Sequence, residues 1–589
     1  MLKITKNQVD NQPEPLAQPK PSVTHLGMMA ACLIGLSNQS MAQDTTPNNL
    51  DPTRAQQVIP EPANFDDTKK SEKFDLPPLP KQAEVISSGD SITIKRVLFT
   101  GNTVFSQEEL EATTTAFLNR EIRASDVEAI RRKVSQYYAD HGYINSGAVL
   151  ESQSLAEGVL KLTIIEGRLT EVRQRGQERL QEAYIRDRLI VGSGEPLNIT
   201  DLQDSYRLLL GDRLIQRLNG QLLPGNRPGE AILDVNVTRS RPYQLYFSAD
   251  DYQTPAVGEY TGRMGGWVDN LLTLGERIDA QFIASGGALG YNTGINLPLN
   301  ALDTRFNFRY SDVTSNIIEQ PINTLNIANH VIGFDGGLSH PVYRTFTDEL
   351  ALGVNFVVRQ NRTMVDDACF GVEGIGIDSC ETQVTVLRMS QHFSHRGDSN
   401  GLVFWSTFNV GLDALGATVN DPGLQSGQFF SWLGQSMFSQ RLLENGTHLV
   451  VKANIQLSDS PLLSLERYSI GGAYTVRGYR ENTYVRDNGF NTSVELHYPI
   501  YNGDTNEKNS LNLVPFWDYG GAWNNETNEL GPQATDYLFS TGIGFNWQYD
   551  RFSADFYWAH AFTPIRNPRL SAHSIQDDGI HFRVNINAF

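Results

Sequence analysis

The chain has 589 residues, too long for one ordinary core, so several domains are expected. Apolar residues make up 40% of it, but no run approaches the roughly 18 consecutive apolar residues of a spanning helix, which excludes a helical membrane bundle. The 67 acidic against 48 basic residues give a net charge of −19, which excludes nucleic-acid binding as the main task, since phosphate contacts need a basic face. Aromatic residues at 10% and 50 glycines favour strands and turns, and three cysteines are too few for a disulfide scaffold.

Leu26 to Leu36 (LGMMAACLIGL) is an apolar run sized for the core of an export signal. Lys3, Lys6 and Lys20 precede it, and Ser40-Met41-Ala42 is a small-x-small cleavage pattern, so residues 1–42 are expected to be a signal peptide. Cleavage would remove Cys32 and leave Cys369 and Cys380, which can pair in an oxidising compartment. Residues 43–88, with seven prolines and a mixed-charge stretch, read as a linker. One short helix fits within it, from Pro52 to Val58 after the N-cap Asp51.

Two small α+β units are predicted next, over 89–167 and 168–241. In the first, Ser91 to Phe99 alternates as a strand, Ser106 to Leu118 reads as a helix, and Ser125-x-x-Glu128 is a capping box opening a second helix. Strands around Ser146 to Glu151 and Val159 to Ile165 close the unit. The order β-α-α-β-β then repeats. A strand spans Leu169 to Arg175 and a helix Glu178 to Leu189. A second helix is capped by Asn198 or Thr200, and strands fall near Leu214 to Leu222 and Ala231 to Thr238. Exposed strand edges in such units suit capture of an extended peptide by strand addition.

From 242 to 589 the helical period disappears and sixteen candidate strands follow, for example Arg305 to Tyr310, His448 to Ile455 and Ile580 to Ile586. Their partner faces are polar or glycine, as where one face meets lipid and the other a wet lumen. Counting Tyr243 as the start of an outward strand, odd connections average about 16 residues and even ones about 6, the asymmetry of outer-membrane barrels. The predicted fold is therefore a membrane β protein, a sixteen-stranded antiparallel outer-membrane barrel behind two α+β units. Phe589 ends the chain out of step with the even-numbered apolar phase of the last strand.

The longest connection, about 459 to 488, contains Gly471-Gly472-Ala473-Tyr474-Thr475-Val476-Arg477-Gly478-Tyr479, and a later strand reads Phe516-Trp517-Asp518-Tyr519-Gly520. The first resembles the inward-folded sixth loop of the Omp85 superfamily, with its Val476, Arg477, Gly478 and Tyr479 tip, and the second is similar to that family's lumen motif carried by Phe516, Asp518 and Gly520. The resemblance implies an Arg477 to Asp518 pair inside the barrel. An arginine in a narrow lumen needs a carboxylate, and glycine at 478 permits close approach to the wall. With two repeats and a barrel of this size, the chain resembles the two-partner secretion transporters of the hemolysin secretion and activation type. Leu223-Pro224-Gly225 and Gly265-Gly266-Trp267-Val268-Asp269-Asn270 add to the likeness.

On that resemblance the α+β units are POTRA domains in the periplasm. Cargo capture is expected at the edge Ser146, Ala148, Val149 and Leu150 of the first, and the Pro52 to Val58 helix is short for a pore plug. The implied partners are a secreted exoprotein with an N-terminal secretion domain, outer-membrane lipid and the barrel assembly machinery, with the chain acting as a monomer in the outer membrane. A barrel assembly or insertion factor of the same superfamily is the alternative. Cys369 and Cys380, in one outside loop, are expected to form a disulfide. No H-E-x-x-H, G-x-S-x-G, Walker A or paired C-x-x-C occurs. Neither catalysis nor any cofactor or metal is expected, and His392 and His395, three apart and so on opposite faces of a strand, make a poor metal pair.

Overall fold

The structure, a computed structural model, describes residues 92–151, 158–369, 380–421, 424–503, 509–525, 535–565 and 573–588. The expected signal, the linker with its Pro52 to Val58 helix, and Phe589 lie outside the described residues. The first unit runs β1 (Ile92–Thr93), β2 (Arg96–Thr100), α1 (Gln107–Thr114), β3 (Glu121–Ile122), α2 (Ala124–Asp140), β4 (Gly147–Val149) and β5 (Val159–Ile165). Its sheet has the order β2-β5-β4, with β2 parallel and β4 antiparallel to β5. The α2 face predicted from spacing, Val127, Ile130, Val134 and Tyr138, is buried on that sheet against Val97, Leu160 and Leu162.

Two local expectations need correction. The predicted strand from Ser91 to Phe99 is broken, because the Lys95 and Arg96 amides both turn to the Gly158 carbonyl. The predicted capping box at Ser125 and Glu128 does not form. The helix starts at Ala124, so Ser125 already lies inside its first turn; Asp126 instead accepts from the Arg123 amide at 2.8 Å, and Glu128 pairs with Arg131.

The second unit comprises β6 (Arg168–Arg175), α3 (Glu182–Gly192), α4 (Ile199–Leu210), β7 (Ile215–Pro224) and β8 (Glu230–Arg239), in sheet order β6-β8-β7. The helix α3 begins later than the predicted Glu178, which sits at φ 53° in the preceding turn, a conformation no helix residue adopts. Asn198 caps α4, accepting from the Thr200 amide at 2.9 Å. The two units touch closely. Asn145 Nδ2 donates to the Gly229 carbonyl at 2.9 Å, the Ile199 amide donates to the Gly142 carbonyl at 2.9 Å, and Ile144 packs on the second core.

From Tyr243 the chain forms a closed antiparallel barrel of sixteen strands, with the two-residue piece Ala368–Cys369 added beside strand 7. Strand 1 (Tyr243–Asp250) pairs with strand 16 (Ile580–Asn587), an antiparallel closure that an even strand number allows. Strand 13 (Asn509–Trp523) displays the two-residue period plainly: Phe516 and Asp518 are buried inside, while Trp517 and Tyr519 face outward. Odd connections include 412–429, 459–487 and 562–579, whereas no even connection exceeds 270–276.

The even connections are where the second unit docks. Arg213 Nε donates to Asp269 at 3.1 Å, and Asp269 also takes a two-point pair from Arg277, both contacts 2.8 Å, with Arg277 stacked 4.0 Å over Trp267. Nearby, Asp303 is shared by Arg188 of the second unit and by Arg305 and Arg344 of the barrel, at 3.3, 2.9 and 2.8 Å. Burial pushes the Asp303 carboxyl up, but the three guanidiniums outweigh it and hold it well below the usual carboxylate range. The Gly-Gly-Trp-Val-Asp-Asn segment singled out in the sequence thus enters this joint through Asp269.

Topology is checked by single cysteines. A cysteine at Asn420, in connection 412–429, should react with a membrane-impermeant maleimide on intact cells. One at Gln177, between β6 and α3, should react only after the outer membrane is opened. The reverse pattern would invert the barrel.

Candidate functional site

Connection 459–487, between strand 11 (His448–Ser458) and strand 12 (Asn488–Asn502), folds into the lumen instead of outward into water. Its Leu462, Ile470, Val476, Arg477 and Tyr479 are buried, which a solvent loop would not permit. Its two legs pair as a short ladder, Tyr468–Ile470 against Tyr484–Arg486.

At the tip, Arg477 meets Asp518 in a two-point fork, Nε to Oδ2 and Nη2 to Oδ1, both at 2.7 Å. The Arg477 amide adds a third bond to the same carboxylate at 3.0 Å. Nη2 also donates to Ser493 Oγ at 2.8 Å and lies 2.9 Å from Glu495, and the guanidinium stacks 3.6 Å over Phe516 with Tyr557 at 4.9 Å. Arginine and aspartate are almost wholly excluded from water, at 3% and 1% exposure. Glu495 is a second carboxylate of the site. It receives Lys452 at 3.3 Å and His497 at 3.0 Å besides Arg477.

The other tip residues fix the backbone. Gly478 adopts φ 90°, donates its amide to His581 Nε2 at 3.4 Å, and leaves no room for a side chain: a Cβ would stand 3.0 Å from that of Ala559. Val476 is fully buried against Gly520, where a Cβ would be 3.0 Å from Val476 Cγ2. The Tyr479 hydroxyl lies 2.9 Å from the Phe539 carbonyl and accepts from the Thr563 amide at 2.9 Å. Phe516, Asp518 and Gly520 share the lumen phase of strand 13, so the two motifs of the sequence meet at one spot.

Sequence reasoning missed Glu495, Ser493 and Tyr557 around Arg477, and also Arg480, which is paired with Asp577 and Glu319 of two other outer connections. It missed Glu466, held by Arg388 of strand 8 at 2.8 Å. The readable signal was phase: Glu495, Arg388 and Arg359 sit on the lumen side of lipid-facing strands, where a charge requires a partner.

Of the capture-edge residues, Ser146 and Ala148 are buried and engaged, whereas Val149 and Leu150 are exposed. Both backbone groups of Ala148 that point away from β5 are taken: Ser135 Oγ accepts from its amide at 3.0 Å and Arg131 donates to its carbonyl at 3.2 Å. Cys369 and Cys380 are joined by a disulfide with Cα atoms 4.7 Å apart, at the end of the hairpin of strands 7 and 8. Among the described residues no group of three His, Cys, Asp or Glu side chains is placed to hold a metal ion.

Periplasmic-type α+β units, a sixteen-stranded barrel and an inward loop locked by arginine to a strand-13 aspartate define an outer-membrane transporter barrel with POTRA arms. Residues 229–547 match the haemolysin secretion/activation protein family ShlB/FhaC/HecB, and residues 92–167 match the ShlB-type POTRA domain. The chain belongs to the haemolysin secretion/activation family. Among relatives, it is 23% identical over 488 residues to the outer membrane transporter CdiB of Escherichia coli O6:K15:H31, covering 80% of each chain. It is also 23% identical over 469 residues to the heme/hemopexin transporter protein HuxB of Haemophilus influenzae, covering 77% of this chain and 80% of that one. The solved structure of CdiB from Escherichia coli superposes with a TM-score of 0.66 at 19% identity, over 88% of this chain and 95% of that one. The last likeness is one of fold.

Gly478→Ala tests how tightly the tip is seated. The forced left-handed backbone costs about 1–2 kcal/mol for an alanine, and the contact with Ala559 adds to it. Trypsin should then cut at Arg477 or Arg480 while the barrel stays heat-modifiable. Adding Ala559→Gly should restore protection only in part, because it relieves the contact and not the backbone strain.

Proposed function

We propose that this chain secretes one large partner exoprotein, unfolded, from the periplasm through its lumen to the cell surface. The observation that carries the reading is the Arg477–Asp518 fork, because it holds a long loop inside the very space that cargo must cross. Cargo meets the first unit at the β4 edge, first on the exposed Val149 and Leu150 side chains. Strand addition there displaces Arg131 and Ser135 from Ala148, exchanging two side-chain bonds for a backbone ladder. The sequence offers no nucleotide-binding motif, so folding of the emerging cargo outside supplies the drive. The chain acts as a pore and not as a catalyst. Lipid surrounds the outward face, whose Leu352, Val354, Phe356 and Trp517 support an embedded monomer inserted by the barrel assembly machinery. Membership of a secretion/activation family favours this reading over the barrel-assembly alternative.

Removing one partner of a desolvated charge pair costs roughly 3–5 kcal/mol, less where pore water reaches the orphan. Arg477→Ala and Asp518→Ala should each reduce secretion of the co-expressed exoprotein severely at near-normal membrane abundance. Arg477→Lys should recover only part, because an ammonium cannot make the two-point fork. The double variant should be no worse than either single one, and additive losses would separate the two residues.

Val149→Pro removes an amide from the β4–β5 ladder and distorts the capture edge. Secretion should fall while the barrel assembles normally. Unchanged export would place capture elsewhere.

A further inference from the structure

Glu466 is a buried carboxylate of the loop that takes no part in the tip contact. Glu466 ends a short turn (Ser464–Glu466) on the outer leg, is 6% exposed, and lies against the inner wall of strand 7 (Asp348–Val365) and strand 8 (Glu381–Arg396). Both of its oxygens accept from Arg388 Nη2, at 2.8 and 3.0 Å, and Arg359 Nη1 stands 3.8 Å away on the neighbouring strand. Its carbonyl accepts from Gln456 of strand 11 at 2.9 Å.

The wall at this place is unusual for a wet lumen. On strand 7 the lipid side carries Leu352, Val354 and Phe356, so Val357 and Arg359 point inward. Val357, Val384, Val386 and Phe429 form an apolar patch inside the barrel, covered by Leu462, Leu463 and Leu465 of the loop. Arg388 beside that patch would lose its carboxylate without the one that arrives with the leucines. Apolar cover and opposite charge therefore come on one segment, and both are needed to seat it.

We propose that Glu466 is a second latch of the loop, of polarity opposite to the first. At the tip the loop supplies the arginine and the wall the carboxylate; here the loop supplies the carboxylate and the wall the arginines. Glu466 positions the outer leg on strands 7 and 8 independently of Arg477 on strand 13, so the loop crosses the lumen between two separately anchored walls. Releasing Glu466 clears one side of the path while the tip stays fixed. This deepens the secretion reading and rests on it only for that consequence.

The test uses the full chain in the outer membrane and a membrane-impermeant maleimide added outside. Reporters Leu463→Cys and Val476→Cys, both at fully buried positions, should be protected in the otherwise unaltered protein. With Glu466→Gln, labelling at 463 should rise by about tenfold or more, the scale of a lost bond to a charged group, while 476 stays protected. Arg388→Gln should do the same if Glu466→Gln fails to assemble. The exchange Glu466→Arg with Arg388→Glu should restore protection at 463, which packing by the leucines alone would not do. Unchanged protection at 463, joint exposure of 476, or no recovery on exchange each overturns the second latch. Labelling that rises as expected while secretion stays unchanged would leave the latch standing and count instead against the proposed function.

Discussion

A guanidinium enclosed by protein is tolerable only when its charge is answered. Arg477 meets that condition with a bidentate aspartate, a second carboxylate, a serine hydroxyl and two aromatic faces. The surrounding architecture follows from it. The carboxylate must face inward, which strand 13 provides through its two-residue period, with Trp517 and Tyr519 sent to lipid. The backbone must come near the wall, which requires glycine at 478 beside Ala559 and at 520 beside Val476. Glu495 gathers Lys452 and His497 into the same network, so its charge balances cations from both the wall and the loop.

Much of this was legible because strands and tip motifs are local. Phe516, Asp518 and Gly520 occupy alternate positions, so one face of one strand could be read directly, and Val476 to Tyr479 form one uninterrupted stretch. The partners missed are those whose meeting depends on barrel closure. Glu466 and Arg388 are far apart in the chain, and nothing near either one names the other. The same holds for Arg480 with Asp577 and Glu319. Local rules also misled where two carboxylates competed: the capping-box spacing nominated Glu128, but Asp126 takes the helix amide and Glu128 goes to Arg131. At β4 the sequence correctly marked a strand, yet nothing local to it shows that Arg131 and Ser135 of α2 occupy the outward backbone groups of Ala148.

The second unit is fixed to the barrel by contacts of the same kind. Asn145 of the first unit binds the Gly229 carbonyl of the second, and the second unit reaches the barrel through Arg188 to Asp303 and Arg213 to Asp269. Each carboxylate here serves several arginines, so the second unit cannot pivot on the barrel without stranding a buried charge.

The costs of the two conceivable openings differ in kind. Parting the wall, even at its short seam between strands 1 and 16, would leave backbone amides and carbonyls unpaired against hydrocarbon at several kcal/mol each. Moving the loop leaves the ladder intact and breaks mainly ion pairs and side-chain packing inside a polar lumen, where water and the charges of a passing chain can replace them. The leucines of the outer leg lose their cover, yet the apolar wall patch they vacate can be wetted or occupied by cargo. The physics therefore assigns rigidity to the barrel and exchange to the loop: the wall is hydrogen-bonded where nothing can substitute for a partner, and the loop is charge-bonded where much can.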